Sequence, residues 1–107
     1  MVLFRRMLGD VLRERRVERG LTLREVSAGA RVSLGYISEI ERGQKEASSE
    51  LLASLCGALD APLSEILSEV SAAVAVEEAA AIVAATPLPV VVAARRAGAA
   101  NVVASAA

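Results

Sequence analysis

The chain has 107 residues, room for one small domain and an appendage. It is 54% hydrophobic, yet its only aromatic residues are Phe4 and Tyr36, so a core must be built from Leu, Ile, Val and Ala, which favours helices over a sheet. A formal net charge of −1 excludes any argument from bulk basicity, and a single cysteine with no histidine excludes an intramolecular disulfide or a cysteine-based zinc cluster.

Residues 1–6 read as a short lead-in, with Leu3 and Phe4 either packed on the domain or loose. A first helix is expected from about Met7 to Arg19, with Leu8, Val11 and Leu12 facing the core and Gly20 ending it. Arg13, Arg15 and Arg19 give it a basic surface, and Arg16 is the exception among its arginines. Thr22 is the next N-cap, and Glu25 completes a capping box three residues on. Leu23, Val26 and Ala30 recur at helical spacing. Arg31-Val32 breaks that pattern, and Ser33 is a good N-cap for a further helix. Tyr36, Ile37 and Ile40 form its stripe, and Gly43 sits where a helix stops. Two helices this short cannot bury their apolar faces alone, so they require the helices on either side.

Ser48 is expected to cap a fourth helix over about 49–59, with the stripe Leu52, Leu55, Cys56, Leu59. Cys56 in that stripe reads as a buried structural thiol. Asp60-Ala61-Pro62 forms a junction, and a fifth helix starts near Leu63. Its apolar positions Leu63, Ile66, Leu67, Val70 and Val74 are three or four apart. Leu63 and Ile66 are assigned to the core, and Leu67, Val70 and Val74 to a dimer seam.

From Ser71 the composition turns to Ala and Val. The helix can run on or restart through residue 85, and Thr86-Pro87-Leu88-Pro89 then breaks it. Residues 1–70 are therefore expected as one domain, and 71–107 as a low-complexity tail, helical or disordered, serving dimerisation or degradation. The longest uncharged run, 79–94, is shorter than the ~20 residues a bilayer span needs. Met1-Val2-Leu3-Phe4 followed by Arg5-Arg6 is no secretory leader, so a cytoplasmic location is expected.

Charge is unevenly placed. Residues 1–45 carry ten bases and six acids, residues 46–69 five acids and no base, and the remainder is neutral. Such a division can turn one face toward phosphates and another away from them, or serve solubility alone.

The run Leu21 to Gly43, LTLREVSAGARVSLGYISEIERG, resembles the helix-turn-helix of the Xre/Cro family of DNA-binding regulators. Leu21, Glu25, Val26, Ala30, Val32, Ser33, Tyr36, Ile37, Ser38, Ile40, Glu41, Arg42 and Gly43 carry the likeness. Leu23 stands where that family often has Gln, and Arg31 where the turn often has Gly. A positive φ at Arg31 would strain it. Within the family, the first 70 residues look like the actinobacterial regulators of Clp protease genes.

The resemblance implies a five-helix, all-α, λ-repressor-like domain that needs no cofactor or metal and is not an enzyme. It implies a salt bridge between Arg16 and Glu41. The second helix of the motif would enter the major groove of double-stranded DNA, with Ser33, Leu34, Gly35, Ser38 and Glu39 toward the bases. Leu34 could pack on a thymine methyl, and Glu39 could accept from cytosine N4 or remain a solvated carboxylate. Thr22, Arg24, Tyr36, Arg42 and Lys45 would contact phosphates, with Arg31, Arg5 and Arg6 as outlying candidates. A homodimer would read a palindrome. The implied function is a transcription activator of Clp protease and stress-response genes. The tail, ending in Ala106 and Ala107, could make the protein a Clp protease substrate or be inert. The competing reading is an interaction protein, antitoxin-like or partner-docking, with the helix-turn-helix as its anchor.

Overall fold

Five helices follow one another in the structure, a computed structural model that describes residues 3–85. They are α1 (Phe4–Glu18), α2 (Leu23–Ala30), α3 (Leu34–Glu41), α4 (Ser49–Ala58) and α5 (Leu63–Ala85). The described residues contain no strand, and the fold is all-α. The chain divides into two units, 1–75 and 76–107. Of the second, the described residues are 76–85, the exposed last ten residues of α5. The expectations for Thr86 to Ala107, including the protease-substrate ending, lie outside the described residues.

The helix starts follow from local hydrogen bonding. Thr22 Oγ1 accepts from the Glu25 amide at 3.1 Å, and the Thr22 amide donates to Glu25 Oε1 at 2.9 Å. Ser33 Oγ accepts from Tyr36 N–H, and Ser48 Oγ from Leu51 N–H, each at 3.2 Å. Every such cap satisfies an amide that has no partner inside its helix and contributes about 1 kcal/mol.

The helix ends use left-handed residues. Gly20 (φ 69°), Gly43 (φ 73°) and Asp60 (φ 52°) follow α1, α3 and α4. At each, the next amide reaches back five residues: Leu21 to Arg16 O at 3.0 Å, Gln44 to Glu39 O at 2.8 Å, Ala61 to Cys56 O at 3.0 Å. Arg31, ending α2, has φ 58° and ψ 45°. A side chain there costs roughly 1–2 kcal/mol. Three bonds to Ser27 hold the turn: its carbonyl accepts from the Arg31 and Val32 amides, and its hydroxyl donates to Val32 O.

All five helices contribute to one core. Leu8, Leu12, Val26, Ile37, Ile40, Leu55, Leu59, Ile66 and Val70 are all buried in it. Cys56 is buried there too, and burial pushes its thiol pKa up. Helix α1 packs on α3, and α2 on both α3 and α4. The α1–α3 approach is close. A Cβ on Gly9 would stand 2.4 Å from Ile40 O and 2.7 Å from Glu41 O. One on Gly43 would stand 2.9 Å from Arg6 Cα.

Several expectations need correction. Helix α1 begins at Phe4, not Met7. Arg5 Nε donates to Gly43 O at 2.9 Å, so tertiary contact holds a first turn that has no side-chain cap. Leu63, assigned to the core, is 40% exposed, and Val70, assigned to a dimer seam, is 2% exposed. The rotation of α5 against its neighbours turns Ile66 and Val70 inward and leaves Leu63 and Leu67 outside. The basic surface expected of Arg13, Arg15 and Arg19 is also smaller, because two of these three are paired. Arg15 bonds Glu69 and lies 3.4 Å from Glu65, Arg16 bonds Glu41, and Arg19 bonds Asp60.

Candidate nucleic-acid interface

The two capped helices α2 and α3, joined by the Arg31–Ser33 turn, present one continuous exposed edge. On α3, Ser33, Leu34 and Gly35 are exposed, while Ser38 and Glu39 are half-buried. Leu34, Ser38 and Arg42 are spaced four apart, so they form one ridge along the helix. Leu34 offers an apolar surface at the leading end. A Cβ on Gly35 would meet no atom within 4 Å, so the backbone there is open to a ligand on the outside.

The polar members of the ridge are tied together. Arg42 Nη1 donates to Ser38 Oγ, and Arg42 Nε and Nη2 donate to Gln44 Oε1 at 3.3 and 3.2 Å. With a lone pair engaged by Arg42, the Ser38 hydroxyl keeps its proton to donate, which suits acceptors such as purine N7 or thymine O4. Gln44 likewise keeps its amide NH2. Gln44 escaped the sequence reading because it follows Gly43, outside any helical period. Glu39 forms no side-chain bond among the described residues, so its carboxylate remains an acceptor.

Five residues were expected at phosphates. Thr22 accepts from Glu25 N–H and retains its hydroxyl proton. Arg24 and Lys45 are exposed. Arg42 is exposed but spends its fork on Ser38 and Gln44. Tyr36 differs from the expectation. Its hydroxyl donates to Glu46 O at 3.2 Å, which leaves no proton for a phosphate and ties α3 to the segment after it.

Behind this edge lies the Arg16–Glu41 pair. Arg16 Nε donates to Glu41 Oε2 at 2.8 Å and Nη2 to Oε1 at 3.1 Å, a two-pronged contact. Nη1 donates to Leu21 O at 2.9 Å. One guanidinium thus joins α1, the lead-in to α2 and the end of α3. The hydrogen bond to Glu41 raises the Arg16 pKa against the opposing effect of desolvation. Pairing also sorts the charge. Glu41 and Glu69 neutralise arginines of α1 and Asp60 neutralises Arg19 at its C-cap, whereas Arg24, Arg31, Arg42 and Lys45 form no ion pair with a carboxylate among the described residues. The positive excess of the N-terminal half therefore falls on α2, the turn and the end of α3.

A helix-turn-helix family model matches residues 12–66. The transcriptional regulator ClgR of Mycobacterium tuberculosis is 65% identical over 65 residues, 61% of this chain and 58% of that protein. The chain thus spans little more than half the length of this curated relative. Among solved structures, the clp gene regulator ClgR of Corynebacterium glutamicum is similar with a TM-score of 0.72 and 48% identity, covering 78% of this chain and 88% of that one. The restriction-modification controller protein C.AhdI of Aeromonas hydrophila is similar with a TM-score of 0.57 and 29% identity, over 58% and 94%. The matched span takes in α2, the turn, α3 and the Arg42–Gln44 corner, the elements that build the exposed edge, and the chain belongs to the helix-turn-helix family.

Proposed function

We propose that this chain is a sequence-specific DNA-binding transcription regulator of Clp protease genes, working as a homodimer on a palindromic operator. The observation that carries the reading is the ridge Leu34–Ser38–Arg42, set on a doubly capped helix pair and flanked by unpaired cations. Leu34, Ser38 and Glu39 then read base edges, and Gly35 lets the backbone close on the duplex. Thr22, Arg24 and Lys45 meet phosphates, which position the protein without carrying sequence information. The activating direction follows the family resemblance.

One such domain reads only a few base pairs, whereas two related by a two-fold axis read half-sites about one helical turn apart. The seam we assign is Leu63, Leu67 and Val74 on α5. Leu63 and Leu67 are exposed apolar residues one turn apart, and Val70 is left to the core. A partner-docking reading draws on the exposed Val76, Ile82 and Val83 at the far end of α5.

Selection from random duplexes by the full chain, at two salt concentrations, tests the proposal. The expected result is an enriched palindrome whose recovery is lost in a Leu34→Ala, Glu39→Ala variant. Weak, salt-sensitive binding with no enriched motif would favour partner docking instead. Gly35→Ala gives a finer check. With open space around the new methyl and a better helix former, the melting temperature should rise slightly. Affinity for the selected duplex should fall, since the methyl occupies the approach. Unchanged affinity would remove Gly35 from the interface.

A further inference from the structure

The described residues contain four left-handed positions, and three are easily accounted for. Gly20 and Gly43 are glycines, which adopt positive φ without a steric cost. Asp60 belongs to a residue type that tolerates the region, and both its carbonyl and its carboxylate accept from Arg19, at 2.8 and 3.0 Å. Arg31 is the exception. Its long side chain is exposed, and among the described residues it makes neither an ion pair nor a hydrogen bond that would offset the strained backbone.

The backbone around Arg31 is over-determined. The Arg31 and Val32 amides and the Ser27 hydroxyl close the turn independently of which side chain stands at 31. The fold therefore needs the conformation but not the arginine, and glycine would supply it at lower cost. Strain kept at an over-determined position marks a place where the side chain serves something other than stability. The location indicates what that is. Arg31 stands two residues before Ser33, at the entrance to α3, beside the end of the helix that meets the bases. It is one of few cations there that no carboxylate neutralises.

We infer that Arg31 is held in a strained left-handed turn because its guanidinium grips a DNA phosphate flanking the recognition helix, at the expense of fold stability. The inference rests on the DNA-binding reading and adds a trade-off to it. Arg31→Gly should raise stability and lower affinity, two effects of opposite benefit from one substitution. Arg31→Lys keeps both charge and strain, so it should change neither much.

The test uses the full chain, a selected duplex where one is obtained and a random duplex otherwise, and salt titrations for wild type, Arg31→Gly, Arg31→Lys and, as an exposed-cation control in α1, Arg13→Ala. Arg31→Gly is expected to melt roughly 4 °C higher or more. Its affinity should fall several-fold, and the slope of log affinity against log salt should flatten by about 0.9, the value for one phosphate contact. Arg31→Lys and Arg13→Ala should keep the wild-type slope. A variant Arg31→Gly that binds with the wild-type slope, or that melts no higher than wild type, overturns the inference and leaves the DNA-binding reading in place. A wild-type chain that binds no duplex at low salt overturns both.

Discussion

Gly9→Ala should lower the melting temperature by roughly 10–20 °C, a large loss for one methyl group. Alanine is the better helix former, by about 0.5–1 kcal/mol, so propensity alone predicts a gain. Packing overrides it. The added Cβ would lie 2.4 Å from Ile40 O and 2.7 Å from Glu41 O. Both are backbone carbonyls in the last turn of α3, and neither can swing aside as a side-chain end would. Relief requires α1 and α3 to separate, which loosens Leu8 and Leu12 against Ile37 and Ile40. Overpacking typically costs about 1–3 kcal/mol, and the rigid partner atoms place this case at the upper end. Gly57→Ala is the matched control. Gly57 also lies inside a helix, but a Cβ there meets nothing within 4 Å, so that variant should melt at or above wild type. Thermal melts of the two proteins decide the matter. Equal shifts would mean that the α1–α3 contact is looser than described.

What the sequence reveals and what it conceals divide along one physical line. Thr22, Ser33 and Ser48 announce helix starts because an N-cap bonds an amide only three residues ahead. Gly20 and Gly43 announce helix ends for the same local reason. The stripes Val26–Ala30 and Ile37–Ile40 show which faces go inside. None of this depends on distant residues. Gly9 was silent because nothing in its neighbourhood of sequence says that another helix will touch it. Arg15 and Arg19 looked like free cations because their partners Glu69 and Asp60 are 54 and 41 residues away. Leu63 and Val70 changed places for a related reason. Periodicity shows that a helix has an apolar side, yet the azimuth of that side is set by the neighbours it packs on. The long helix α5 makes this hardest to read, since its second half is Ala-rich and carries no charge apart from the adjacent Glu77 and Glu78.

The candidate site divides in the same way. Ser33, Leu34 and Gly35 are exposed, as the motif implies, because the order of residues on one short capped helix fixes them. Tyr36 and Arg42 were open to misreading because their hydrogen-bonding groups could turn toward a ligand or toward the protein. The structure turns both inward, Tyr36 to Glu46 O and Arg42 to Ser38 and Gln44. The side chain of Arg42 thereby acts on the ridge through Ser38, whose hydroxyl it orients.

Arg16→Ala should destabilise the fold by about 3 kcal/mol, whereas Arg13→Ala should stay within about 0.5 kcal/mol of wild type. Both remove a positive charge from α1, so net charge cannot distinguish them; burial and partners do. The Arg16 and Glu41 side chains are only 14% and 8% exposed, and the guanidinium makes two bonds to the carboxylate and one to Leu21 O. Removing it leaves a carboxylate in the interior without its cation and frees α1 from both ends of the helix-turn-helix. Arg13 is exposed and forms no ion pair among the described residues. The loss at Arg16 corresponds to a fall in melting temperature of roughly 12–24 °C. Equal melting temperatures for the two variants would refute this account. The double variant Arg16→Met, Glu41→Leu separates attraction from desolvation. A buried pair replaced by apolar residues of similar volume is often neutral or better, so the double variant should recover most of what Arg16→Ala loses. If it does, the pair contributes little net stability and instead fixes how α1 is set against α3. The double variant should then fold well and still bind DNA less tightly, because the ridge would no longer be held in one position.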